Sequence, residues 1–263
     1  MPDAKILLER DGVRLAVDDS VAHITLCNPA KRNAQSPALW RALTEAGQLL
    51  PGQVRVVVLR GEGVSFSAGL DRQAFTPEGF DGEPSFLDLA RGSEAGLDAA
   101  IATYQDAFTW WRRTDVITVA AVQGHAIGAG FQLALACDLR VCADDAQFAM
   151  RETGLGLVPD LTGTKPLVEL VGYGRALEIC ATGRFVHADE AERTGLANLV
   201  VPAAELDAAV TDLVGALLAP PRDAVVETKG LLRGAAAHTE KEQYAAERAA
   251  QGRRLRDLAG VGE

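Results

Sequence analysis

The chain has 263 residues, 48% of them hydrophobic, and a formal net charge of −10. This content suits one large domain, or one with a small appendage, and excludes a disordered chain. The acidic balance excludes a general binder of nucleic acid or anionic membrane, which needs a basic face, but leaves room for a small anionic ligand held by a local positive cluster.

In chain order, the opening MPDAKILLERDG lacks the apolar core of a signal peptide, and no apolar run approaches the roughly 18 residues of a membrane span. A cytoplasmic protein is expected. VRLAVDDSVAHITLCNP holds two apolar runs around Asp-Asp-Ser and reads as a hairpin. Helical periodicity over residues 38–50 follows Ser36-Pro37, an N-cap and first-turn pair. Residues 54–61, 116–124 and 138–143 are β-branched apolar runs of the kind found in strands buried on both faces. Helices between and after them give an α/β fold. Residues 72–96 carry Gly, Pro and Asp among Phe75, Phe80 and Phe86. They read equally as an ordinary connection or as a lid over an apolar ligand. A helix follows near 97–113, where Trp110 and Trp111 serve either the core or an acyl pocket. The chain is taken as a core over residues 1–202 and a helical region over 203–263 within one functional unit, with helices at about 203–218, 221–232 and 239–258.

Common chemical signals fail. GAGFQL lacks the third glycine of a dinucleotide fingerprint, LTGTKP is no Walker sequence and GVSFSAG no nucleophile elbow. Cys27, Cys137, Cys142 and Cys180 form no CxxC pair and read as small buried residues; the four histidines show no ligand spacing, so no metal is expected.

Two stretches share a design. SFSAGLD (65–71) and GHAIGAGF (124–131) each place small residues directly after a buried strand, where a ligand can approach main-chain N–H groups. The second runs into a helix whose first N–H groups are free. Two such groups converging on one oxygen make an oxyanion hole, whose client is a carbonyl becoming an enolate; two tight turns built only for packing are the alternative. QFAMRETGLGLVPD (147–160) adds Glu152 in apolar surroundings, where a raised pKa suits acid–base work, and Asp160 eight residues on. A surface Glu152 paired with Arg151 is the alternative.

The ordered set NPAKRNAQS (28–36), FSAGLD (66–71), GHAIGAGFQLALACDLR (124–140), FAMRETGLGLVPDLTGT (148–164) and ATGRFVHADEAERTGLANLVVP (181–202) resembles the crotonase superfamily, the enoyl-CoA hydratase/isomerase family, over about residues 10–235. The resemblance implies a spiral of ββα units with a C-terminal helical trimerisation region. It further implies acyl-CoA thioester substrates, no cofactor beyond the coenzyme A of the substrate, and homotrimers that often pair into hexamers. It places the backbone N–H groups of Leu70 and Ala129 at the oxyanion hole. Ala68 and Asp71 fall beside the adenine and pantetheine path, Lys31 and Arg32 near the CoA phosphates, and Ala34 and Gly128 among the substrate-binding positions. Family hydratases commonly have glutamates at positions 132 and 152, whereas this chain has Gln132 and Glu152. An amide hydrogen-bonds a water but exchanges no proton near neutral pH. Three readings follow. The first is hydration of 2-enoyl-CoA, with Glu152 moving the proton, Gln132 orienting the water and Asp160 standing in for the missing acid. The second is isomerisation of a 3-enoyl-CoA by Glu152 alone, and the third a non-catalytic acyl-CoA binder. Hydration is the leading expectation. The C-terminus lacks the aromatic residue that often covers the CoA in this family, leaving Arg253, Arg254 or Arg256 for that role.

Overall fold

A computed structural model describes residues 4–80 and 82–261. The first three residues of the N-terminal stretch, Asp81 of the glycine-rich segment and the last two residues lie outside it. The strands are β1 (Lys5–Arg10), β2 (Val13–Asp18), β3 (Val21–Leu26), β4 (Val56–Gly61), β5 (Ile117–Val122), β6 (His125–Ile127), β7 (Leu139–Ala143), β8 (Gln147–Ala149), β9 (Val186–His187) and β10 (Leu199–Val201). The helices are α1 (Pro37–Gln48), α2 (Phe86–Arg91), α3 (Glu94–Thr109), α4 (Ala129–Ala136), α5 (Thr164–Val171), α6 (Tyr173–Thr182), α7 (Ala188–Arg193), α8 (Leu206–Leu218), α9 (Arg222–Ala235) and α10 (Glu240–Leu258).

The large sheet runs β1-β2-β3-β4-β5-β7-β10 and the small one β6-β8-β9. The expected hairpin is β2–β3, antiparallel, and from β3 onward the large sheet is parallel. Its central strands are continuously apolar because both faces are covered. Along β4, Val57 and Leu59 enter the main core, while Val56 and Val58 meet Val119, Ala121, Val141 and Ala143 under Leu206 and Val210 of α8. The first C-terminal helix therefore forms one wall of the sheet. Lys229 of α9, only 6% exposed, reaches inward to the Val116 carbonyl (2.7 Å) and to Asp138 (2.6 Å).

The repeating unit is a long strand, a short extended piece and then a helix. β5 leads to β6 and α4, and β7 to β8 and α5. The short pieces continue the small sheet outward through single bridges, Ser67 to Ala126 and Gln35 to Leu70. This is the expected spiral of ββα units.

Several boundaries differ from the sequence reading. The run 116–124 ends as β5 at Val122, because Gly124 takes φ +54° and redirects the chain into β6. The helix expected near 97–113 starts at Glu94, capped by Ser93, and ends at Thr109 in a tight turn of Trp110–Arg112. The segment 72–96 is not one open loop: it contains a turn over Arg72–Phe75 capped by Asp71, and α2 capped by Ser85.

Candidate active site

The two glycine-flanked turns lie in register. Ser67 bridges Ala126; two residues later Gly69 (φ +84°) and Gly128 (φ +52°) both take the left-handed region. At the next position Leu70 and Ala129 present backbone N–H groups that donate to no protein acceptor among the described residues. Only glycine fits at position 69, since a Cβ there would lie 2.3 Å from the Ile127 carbonyl oxygen. Ala129 opens α4, so its N–H is one of the unpaired donors of a helix start.

The Leu70 turn is held by a buried polar network that sequence reasoning missed. The Gln35 amide donates to Ser67 Oγ (3.1 Å), Ser67 Oγ donates to the Asn33 carbonyl (2.8 Å) and accepts from Gly69 N (3.2 Å). Asn33 itself donates to the Ser65 and Phe66 carbonyls. NPAKRNAQS is thus a scaffold for the neighbouring turn. The only signal in the sequence was its density of amide side chains, which is equally common in surface loops.

Gln132, 1% exposed, sits differently from the expected water-orienting role. Its Oε1 accepts from Leu161 N (2.9 Å) and Gly163 N (3.2 Å). Between these donors Thr162 is forced to φ +68°, a strained conformation for a β-branched residue. With the carbonyl so occupied, Gln132 Nε2 donates to Glu152 Oε1 at 2.7 Å. The amide thus ties the 160–163 loop to Glu152. The Glu152 carboxylate lies against Gly128, whose added Cβ would be 3.3 Å from Oε1, and its Oε2 has no hydrogen-bond partner among the described residues. Burial pushes the Glu152 carboxyl above the ordinary range; its own backbone and the Gln132 donor oppose this, and the charge of Asp160 adds to it. Burial raises Asp160 as well. The surface pairing of Glu152 with Arg151 is not formed: Arg151 donates to the Gly183 carbonyl and stacks over Phe185.

Ala68, Leu70, Gly128, Ala129, Glu152 and Asp160 line one cavity of about 520 Å³ whose other walls are largely apolar. Gln132, Lys31, Arg32, Ala34 and Asp71 stand outside its lining. Lys31 forms an ion pair with Asp71 at 2.8 Å, so this expected CoA-phosphate contact is already engaged, and Asp71 also caps the following turn. Phe75 and Phe86 reach the cavity, but Trp110 and Trp111 stack on each other at 4.1 Å away from it. Arg253 pairs with Glu227, and Arg254 with Asp223 and Asp257, so both brace α10 instead of covering the cavity. Cys137 and Cys142 are buried as expected, whereas Cys27 and Cys180 are only partly so.

Residues 16–256 match the model of the enoyl-CoA hydratase/isomerase family. The human mitochondrial Δ(3,5)-Δ(2,4)-dienoyl-CoA isomerase is 36% identical over 195 residues, 72% of this chain; the match spans 58% of that protein's length. Carnitinyl-CoA dehydratase of Escherichia coli O157:H7 is 33% identical over 240 residues, covering 89% of this chain and 85% of its own. A Thermobifida fusca protein described as an enoyl-CoA hydratase, solved with acetoacetyl-CoA, is 51% identical with a TM-score of 0.91, over 94% of this chain and 95% of that one.

Proposed function

Because the chain belongs to the enoyl-CoA hydratase/isomerase family, we propose that it hydrates a 2-enoyl-CoA, with Leu70 N–H and Ala129 N–H receiving the thioester oxygen and Glu152 and Asp160 moving the protons. The observation that carries this reading is that two half-buried carboxyls, both raised in pKa by burial, line the same cavity as two N–H groups without a protein acceptor among the described residues. On this reading one carboxyl serves as the acid and the other as the base. Glu152, against Gly128 and hence beside the hole, is the group placed for the α carbon. Asp160 takes the role that the amide at position 132 cannot.

In the forward step the water oxygen bonds to the β carbon while its proton passes to Asp160. The electrons of the C=C bond shift toward the thioester, and the enolate charge is held by the two N–H groups. Each such donor is worth about 2.7–4 kcal/mol. Glu152 then gives its proton to the α carbon, and the proton on Asp160 restores Glu152. Coenzyme A enters as part of the substrate and no further cofactor is used.

Isomerisation is the second reading, favoured by the apolar character of the cavity walls: moving a proton from the α to the γ carbon needs one carboxyl and no water. Crotonyl-CoA and a 3-enoyl-CoA separate the two. Hydration removes the ultraviolet absorbance of the first, whereas an isomerase converts only the second. Glu152→Gln lowers either reaction by about 10²–10⁴-fold. Full activity in that variant refutes the assignment, and binding without turnover of either thioester leaves a non-catalytic acyl-CoA binder. We also propose a cytoplasmic homotrimer or hexamer, with the exposed Leu232, Tyr244, Leu255 and Leu258 of α9 and α10 offering apolar contact surface. Sedimentation would show a monomer if this is wrong.

A further inference from the structure

Glu152 and Asp160 stand on one short stretch of chain, and the part between them is lightly tethered. Residues 153–158 are all exposed. Their backbone N–H groups bond only within the stretch: Leu155 and Leu157 donate to the Glu152 carbonyl, and Gly156 to that of Thr153. Pro159 has no N–H to donate. The Asp160 carboxyl bonds to no other side chain among the described residues; burial raises its pKa, and its own backbone N–H opposes this. A carboxyl so placed takes its direction from the backbone that carries it.

That backbone is gripped at a single peptide group. The carbonyl of the Asp160–Leu161 peptide accepts from Gln105 Nε2 at 2.6 Å, and the N–H of the same peptide donates to Gln132 Oε1 at 2.9 Å. The peptide is planar and carries the Asp160 Cα at its edge, so holding both polar ends sets where that Cα stands. A carbonyl oxygen only accepts, which settles the end of the Gln105 amide that faces it. Gln105 is the only hydrogen-bond donor to this carbonyl among the described residues. The two grips differ in setting. Gln132 is buried, and its Oε1 also accepts from Gly163 N; Gln105 is half-buried on α3. Leu97, Ile101 and Gln105 follow at four-residue spacing along one face of that helix. The first two line the cavity, but Gln105 does not. It reaches the chemistry only through Asp160.

On the reading of Asp160 as the group that takes the proton of the attacking water, we propose that Gln105 is a positioning residue of the reaction, whose amide holds the Asp160 peptide and so sets where the carboxyl stands. Without that amide the peptide is held at its N–H alone and turns about that point. A displacement of about 1 Å in a reacting group costs about a hundredfold in rate. The loss falls on the chemical step and not on binding, since Gln105 lies outside the cavity lining.

The test is a double-mutant cycle on kcat for crotonyl-CoA with Gln105→Met, Asp160→Asn and the two combined. Methionine keeps an unbranched side chain suited to a helix but donates no hydrogen bond, and asparagine leaves the backbone carbonyl at 160 in place. Gln105→Met is expected to lower kcat about ten- to a hundredfold. The Kd of butyryl-CoA, which has no double bond to hydrate, should stay at the wild-type value. Asp160→Asn should lower kcat by about 10²–10⁴-fold, and adding Gln105→Met should lower it no further. A residue that only supports the fold would multiply its loss onto that of Asp160→Asn, and this result overturns the proposal. Wild-type kcat in Gln105→Met overturns it as well. Gln105→Leu repeats the cycle, and urea titration of each variant keeps a loss of folded protein from being counted as a loss of rate. If Asp160→Asn turns over at the wild-type rate, or the wild type does not turn over at all, the assignment of Asp160 fails and takes the proposal with it. If Asp160→Asn is impaired while Gln105→Met is not, the proposal alone fails.

Discussion

Restoring an acid at position 132 tests the arrangement of the site. In Gln132→Glu the cradle formed by Leu161 N and Gly163 N can hold a carboxylate oxygen as it now holds the amide oxygen at 2.9 and 3.2 Å. The other oxygen then takes the place of Nε2, 2.7 Å from Glu152 Oε1, with a repulsive contact where a hydrogen bond was. Two full charges at that separation repel by about 6 kcal/mol at an effective dielectric of about 20. That corresponds to roughly 4 pKa units before relaxation. The pair therefore keeps one proton across neutral pH. If Glu152 acts as the proton donor to the α carbon, the alkaline limb of the kcat/KM profile for a 2-enoyl-CoA moves up by about one to four pH units. If Glu152 acts as the base of an isomerase, the acid limb moves up instead. A profile with neither limb displaced, in a variant that folds normally, would show that the side chain at 132 does not touch Glu152 and would refute the reasoning.

Three further outcomes follow from the geometry. Gly69→Ala is expected to lose about 1–3 kcal/mol through backbone strain alone, with a further loss from its contact on the Ile127 carbonyl; urea unfolding together with turnover should show both stability and kcat falling. Lys229→Met strands the Asp138 carboxylate, which otherwise accepts from Lys229, Thr118 N and Thr118 Oγ1. A stability loss of about 3–5 kcal/mol is expected, and Asp138→Asn added to it should recover part of that loss in thermal denaturation. The third outcome concerns pH. Glu152 and Asp160 have folded pKa values above their unfolded ones. Their favourable contribution is therefore complete below the unfolded carboxylate pKa and lost as pH rises through the raised folded values. Glu152→Gln should accordingly be more stable than the wild type at neutral pH, with the difference vanishing near about pH 4 in guanidinium titrations; an equal difference at both pH values would contradict the burial argument.

Much of the architecture was legible because its strands are covered on both faces. VVVL in β4 and VAAV in β5 announce themselves through composition alone. β1 did not, since it is an edge strand whose KILLER sequence is mostly exposed and lacks alternation. Glu152, Asp160 and the two turns could be named from motif order and small-residue pattern. The seat of Gln132 could not, because it depends on two N–H donors about thirty residues away that converge only after folding. Of the two roles open to Trp110 and Trp111, core or acyl pocket, the structure gives the core.

The register shared by the Leu70 and Ala129 turns has a consequence for how this scaffold can change. Both donors sit three residues beyond a bridge that joins neighbouring rungs, so their separation is governed by the spacing of adjacent strands, about 4.8 Å. An oxygen placed about 2.9 Å from each nitrogen fits between two donors so spaced. On the proposed reading, the aperture offered to the thioester oxygen is therefore a dimension of the sheet itself. Residues such as Leu87, Leu97 or Tyr104, which belong to separate helices, can be exchanged to admit another acyl group without retuning that grip.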